Sequence, residues 1–209
     1  MSFTTLDDFL LRARRTLDPV EGKERLPEGG DIDMVDESSF ESLRRAAVLI
    51  PVIPRPSGPS VLLTLRPDTM PTHPGQVAFP GGKVDPIDAN EVAAALREAH
   101  EEVGVDPDKV DLIARCAPYF TGTGFRIVPV LGVLPADFVA VREIEEVEKV
   151  FEVPLSFLMD VSNHTPNTVD WRGRTRHFYE IAHGGNRIWG VTAGIIRALY
   201  DRLYGPQED

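Results

Sequence analysis

The chain has 209 residues, 22 basic against 33 acidic, a net charge of −11 and one cysteine, Cys116. That length carries one domain with a sizeable core, the acidic balance argues against a general nucleic-acid binder, and a lone cysteine allows neither an internal disulfide nor a multi-cysteine zinc site. No stretch nears the ~20 apolar residues of a membrane helix. The N-terminus carries Asp7 and Asp8 ahead of its basic residues and no apolar core, so no secretory signal is expected and a reducing cytoplasm fits.

In chain order, Phe3, Leu6, Phe9, Leu10 and Ala13 recur at helical spacing, which predicts a helix over residues 1–17. Residues 18–36, rich in Pro, Gly and charge, read as a loop, and Ser38–Arg45 as a short helix. The apolar run Ala46–Ile53 and the segment Ser60–Arg66 read as antiparallel strands joined by a Pro-rich turn. A proline-rich loop over 67–76 leads to Val77-Ala78-Phe79, then to the breaker Pro80-Gly81-Gly82 before a helix from about Ala89 to Val103. Asp88, three residues before Glu91, is expected to cap that helix, and Gly104 to end it in the left-handed conformation. Val110–Pro118 and Arg126–Leu134 read as strands around the glycine-rich Thr121–Gly124, and Glu143–Lys149 as an acidic segment. A short helix over Pro154–Met159, a hairpin of Thr175–Ala182 with Arg187–Gly190, and a helix over Thr192–Tyr204 complete the chain. Antiparallel hairpins beside long helices predict an α/β or α+β fold with helices packed on a mixed sheet.

The helix over 89–103 holds the strongest chemical signal. Val92, Ala95, Leu96, Ala99 and Val103 form an apolar stripe. Glu98, Glu101 and Glu102 stand at i, i+3 and i+4, sharing a face near the negative end of the helix dipole. Local energetics oppose that grouping, because like charges at this spacing repel. A solvated acidic face and a site for a hard divalent cation are both open readings; Mg²⁺ takes a few carboxylate oxygens and keeps waters and phosphates as its other ligands. Gly81-Gly82 just upstream lets backbone approach a ligand closely. There is no phosphate-binding G-x-x-x-x-G-K-[ST] loop, Gly104 replaces the second histidine of a zinc-protease helix, and Gly122 and Gly124 lack the third glycine of a dinucleotide fingerprint.

Together Gly82–Val105 resemble the Nudix box. Arg97-Glu98-Ala99-His100-Glu101-Glu102-Val103-Gly104-Val105 matches its second half in full. The first acid is Asp88 where the family has Glu, and eight residues separate it from Arg97 where the family has seven. Leu62-Leu63-Thr64-Leu65-Arg66 and Gly75-Gln76-Val77-Ala78-Phe79-Pro80-Gly81-Gly82 resemble the signature of the coenzyme A pyrophosphatases within that family, with Pro67 in place of Ser or Ala and Pro71 in place of an arginine. Glu145-Glu146-Val147, Val153–Leu158 and Ile188–Ala193 resemble the same branch.

The resemblance implies an α/β/α sandwich around a mixed sheet, with residues 1–45 as an N-terminal helix-and-loop extension, 46–204 as the Nudix hydrolase domain and 205–209 as a tail. It implies a Mg²⁺- or Mn²⁺-dependent hydrolase cutting coenzyme A, or a related nucleoside diphosphate derivative such as ADP-ribose, with a non-catalytic binding protein as the remaining alternative. A homodimer is also consistent with the family, and the N-terminal helix could be an interface or a lid. By position, Glu98, Glu102 and Glu101 are the expected metal carboxylates. Arg97 orients a carboxylate or sits on the surface. Glu146 acts as general base or extra ligand, or is a solvated acid, with Glu102 the rival base. Arg66, Gly81, Gly82 and Lys83 are candidate substrate contacts, Arg66 either touching phosphate or pinning its loop. His73 reads as a loop hydrogen-bonder. Phe120, Phe125 and Trp171 either stack on adenine or pack.

Overall fold

The computed structural model describes residues 5–22, 29–30, 40, 42–70, 72–171 and 174–206. Helix α1 runs Leu6–Thr16, with Thr5 Oγ1 accepting from Asp8 N to cap it; the expected start at residue 1 lies outside the described residues. Within the expected loop, a short strand β1 (Gly29–Gly30) pairs in parallel with β7 (Tyr119–Thr121). Of the expected helix at Ser38–Arg45, residues 38, 39 and 41 lie outside the described residues. Arg44 and Arg45 open strand β2 (Arg44–Arg55), because Arg44 through Val52 add in parallel to β8 (Phe125–Val133).

Strand β3 (Gly58–Leu65) returns antiparallel to β2, as the short turn requires, with Val52 opposite Val61. Strands β4 (Val77–Ala78) and β5 (Gly81–Lys83) follow. The glycine pair read as a breaker is therefore sheet: Gly81 and Gly82 lie opposite Val48 and Ala47 of β2. Next come α2 (Glu91–Val103), β6 (Asp111–Arg115), β7 and β8. Strand β9 (Lys149–Pro154), which lies almost wholly between the expected acidic segment and the expected short helix, pairs antiparallel with β3. Helix α3 (Leu155–Leu158) leads to β10 (Thr165–Trp171), β11 (Arg174–His183) and β12 (Asn186–Trp189), and α4 (Val191–Tyr204) closes the described chain. The β11–β12 hairpin turns at His183–Asn186 as expected; β10, its third strand, carries no clear alternation.

Among the described residues nine strands form one mixed sheet, and β10–β12 a second, antiparallel one. Alternation along the central strands explains the layers. Ile50, Val52, Val61 and Leu63 join a core with Phe9 of α1 and Ile196 and Leu199 of α4. Leu49, Ile53 and Leu62 face the other way, onto Val92, Ala95, Ala99 and Val103 of α2. Both sheet faces are covered, which is why Ala46–Ile53 reads as an unbroken apolar run rather than an alternating one. Helices on both faces of a mixed sheet make the expected α/β/α sandwich.

Candidate active site

Helix α2 is fixed at both ends. Asn90, not Asp88, is its cap: the Asn90 side chain accepts from Ala93 N at 2.9 Å. The extra residue before Arg97 carries Asp88 back beyond the helix start. Gly104 terminates α2 with φ 72°, as its position predicted, donating to His100 O. The apolar stripe meets the sheet, and the next row round the helix presents Glu98 and Glu102 to β5.

Gly81 N donates to Glu102 Oε2 at 3.2 Å. A Cβ on Gly82 would lie 2.5 Å from the Glu98 carboxyl carbon, and one on Gly81 2.4 Å from Ala47 O, so glycine alone lets β5 pass between β2 and the carboxylates. Glu102 is 4% exposed, and among the described residues that Gly81 N–H is the only hydrogen bond to its carboxylate. Burial pushes its pKa up to about 8; the charges of Glu98 and Glu146 add to the push, while the Gly81 N–H and Arg66 oppose it. Glu98 is also shifted upward, first by burial, against the pull of Arg97.

Arg97 organises the turn. Its Nε and Nη2 donate to the Asp88 carboxylate at 3.0 and 2.9 Å, and its Nη1 to Glu98 and Glu101 at 2.9 and 3.0 Å. Nη2 also reaches Lys83 O at 3.2 Å, tying α2 to β5. Asp88, assigned to capping from sequence, is thus the fork partner of Arg97. Glu101 is exposed and turned toward Arg97.

Glu146 arrives from a loop with no sequence link to α2. Val141 N donates to Val103 O and Glu143 N to Glu102 O, at 3.1 and 2.9 Å, which lays this loop across the end of α2. Glu146 is exposed, and its charge raises the pKa of both Glu98 and Glu102.

Beside the carboxylates opens a cavity of about 270 Å³. Arg66, Gly81, Gly82 and Lys83 all line it, so the four expected substrate contacts come together. Arg66 Nε is buried with no hydrogen-bond partner among the described residues. Its backbone N–H is bound by Gln76 O at 3.0 Å, so the side chain is not needed to pin the loop there. Phe125 lines the cavity too; Phe120 is core, edge-on to Phe40, and the Trp171 side chain and Pro71 lie outside the described residues. Trp189 and His73, which sequence reasoning gave no substrate role, also line it; only the positive φ of His73 (55°) marks that residue as unusual.

Among the described residues no three His, Cys, Asp or Glu side chains are gathered into a ready cation cage. The donor set still fits a hard divalent ion. Glu102 is a buried, under-satisfied carboxylate next to Glu98, and a carboxylate pair leaves room for water and phosphate ligands.

The NUDIX domain profile matches residues 43–172, so the chain belongs to the Nudix family and is a hydrolase of nucleoside diphosphate derivatives, a pyrophosphohydrolase. Members of that family generally use divalent metal ions and bind small nucleotide substrates. It is 43% identical over 93% of both chains to an uncharacterized Nudix hydrolase, NudL, of Enterobacter sp. strain 638. It is 40% identical, again over 93% of both chains, to the NudL of Escherichia coli K12. Among solved structures, an Ap4A hydrolase of C. elegans in a binary complex aligns with 55% of this chain and 82% of its own, at 21% identity and a TM-score of 0.46. Among the described residues no helix is long and apolar enough to cross a membrane.

Proposed function

We propose that the protein hydrolyses the diphosphate bond of coenzyme A in the cytoplasm, with Mg²⁺ or Mn²⁺, giving 3′,5′-ADP and 4′-phosphopantetheine. The observation that carries this reading is Arg66. Its Nε–H, buried and without a partner among the described residues, stands on a cavity wall beside Glu102, at the end of the segment that resembles the coenzyme A signature. A buried donor without an acceptor is costly, and a phosphoryl oxygen bridging cavity and carboxylates would satisfy it.

Glu98 and Glu102 are the residues that would hold the ion, and Glu101, bonded to Arg97 at 3.0 Å, would join them only by leaving that partner. When bound, the ion neutralises phosphoryl charge and lowers the pKa of a coordinated water. Arg97 fixes the Glu98 carboxylate through Nη1 while Asp88 holds the guanidinium in place. The Gly81–Gly82 backbone leaves space for the diphosphate to lie against β5. Water adds to one phosphorus, the bridging P–O bond breaks toward the leaving phosphate, and a carboxylate takes the proton of the water. Glu146 suits that last role because it is exposed and close to the pair; Glu102, buried, suits a ligand.

The test is incubation with coenzyme A and Mg²⁺ or Mn²⁺, followed by chromatography for 3′,5′-ADP. Intact coenzyme A, with ADP-ribose or a dinucleoside polyphosphate cleaved instead, would transfer the assignment to another Nudix specificity.

A further inference from the structure

The chain carries 33 acids against 22 bases, yet none of the described residues lining the cavity beside the carboxylates is acidic, while Arg66, His73 and Lys83 all line it. Such a wall favours an anion inside the cavity, away from the carboxylates at its mouth. Arg66, attracted to Glu102, belongs to the diphosphate end. His73 and Lys83 remain. His73 Nδ1 is hydrogen-bonded to Gln76 Oε1 at 2.9 Å. Its Nε2 has no partner among the described residues. The ring is held there by a backbone in the left-handed region, φ 55°, which only a few non-glycine residues adopt. Lys83 is exposed on β5, and the ammonium is not needed for packing.

Flat surfaces accompany these charges. Phe125 carries the Arg44 guanidinium 3.8 Å from its ring centre, and Arg44 is held by Thr123 O at 2.7 Å. Trp189 has Arg187 at 5.0 Å and Phe178 edge-on at 6.1 Å. Phe125, with one face taken by a guanidinium, has the other face left for a base. At about 270 Å³ the cavity lies just below the usual range for a drug-sized ligand, ~300–1,000 Å³, so it takes one end of a coenzyme-sized molecule, not both. The pantetheine end has neither a charge nor a flat ring. The nucleoside end has both.

We propose, resting on the coenzyme A reading, that this cavity holds the 3′-phosphoadenosine end of the substrate, with His73 and Lys83 meeting the 3′-phosphate and Phe125 and Trp189 flanking the base. The pantetheine end then extends away from β5 and β12, and the enzyme distinguishes coenzyme A from its 3′-dephospho form by the phosphate it does not cleave.

The experiment compares the two substrates on the wild type, His73→Ala, Lys83→Ala, the double variant and Lys83→Arg. The wild type should favour coenzyme A by about tenfold or more in kcat/KM, as charge-assisted contacts to one phosphate imply. The double variant should erase that preference by raising KM for coenzyme A far more than for the dephospho form, with partial rescue by Lys83→Arg. Inhibition by 3′,5′-ADP should weaken in the same variants while inhibition by 4′-phosphopantetheine does not. Equal turnover of both substrates by the wild type, or weakened inhibition by 4′-phosphopantetheine alone, would overturn the inference and leave the activity standing. Cleavage of neither substrate, with ADP-ribose hydrolysed, would overturn both.

Discussion

Replacing Asp88 by Asn removes one charge and keeps the shape. In the wild type the carboxylate accepts from Arg97 Nε and Nη2 and from Asp85 N at 2.8 Å, and its side chain is only 4% exposed. A charge-assisted bond is worth ~1.5–3 kcal/mol. Arg97 keeps Glu98, Glu101 and Lys83 O as acceptors, so the loss should be nearer one such bond than two, about 2 kcal/mol. For a chain of this length that lowers Tm by about 4–8 °C. The pH dependence supplies an independent check. Arg97 is the main cause holding the Asp88 carboxyl below its ordinary range, with burial opposing it. A depressed carboxylate stabilises the fold fully above its unfolded value, ~3.9, and loses that contribution as pH falls through its folded value. The Tm gap between wild type and Asp88→Asn should therefore stay constant from about pH 5 to 8 and close below about pH 4. Melting curves followed by circular dichroism across that range decide it. Equal Tm values near neutrality, or a gap that widens in acid, would refute the pairing as the structural role of Asp88.

Asn90→Ala should cost about 1 kcal/mol, and Asn90→Asp much less, as expected of a helix cap; chemical denaturation measures both. Gly82→Ala should fold, because its Cβ meets the end of a flexible glutamate, but it displaces the Glu98 carboxylate and should lower turnover on the order of a hundredfold. Glu102→Gln should lose at least about a hundredfold in rate. In chelator, the same variant should be more stable than wild type above neutrality. The Glu102 pKa is raised to about 8, so wild type loses stability as pH rises from its unfolded carboxylate range through that value, and the uncharged amide does not. A variant that melts below wild type at high pH in chelator would contradict the burial of that charge.

Spacing on one helix was enough to align Glu98, Glu101 and Glu102, because the 3.6-residue period fixes which side chains share a face before any packing occurs. It was enough for the end of α2 at Gly104, since a left-handed residue there favours glycine, and for the β2–β3 pair, since a short turn permits only antiparallel return. Asp88 was misread because a capping box and an arginine fork use the same residue type at neighbouring positions, and only the path of the loop over 84–90 separates them. Strand β9 and the glycine strand β5 escaped notice because neither alternates: one is a short apolar run broken by Glu152, the other is held by its neighbours rather than by its own side chains.

The amino-acid order by itself determined the carboxylate row and its place on a helix, consequences of local period and local backbone preference, while the sandwich with two covered faces followed from the resemblance to the Nudix box. The tertiary structure decided the rest: that Glu102 is buried while Glu101 faces outward, that the loop over 141–147 delivers Glu146 to the pair, and that β2, β5, β8 and β12 help enclose a cavity walled by bases and rings without an acid among the described residues. Those features depend on contacts between segments far apart in the chain, and side-chain exposure, field and cavity shape are properties of the space between elements, which no window along the chain contains.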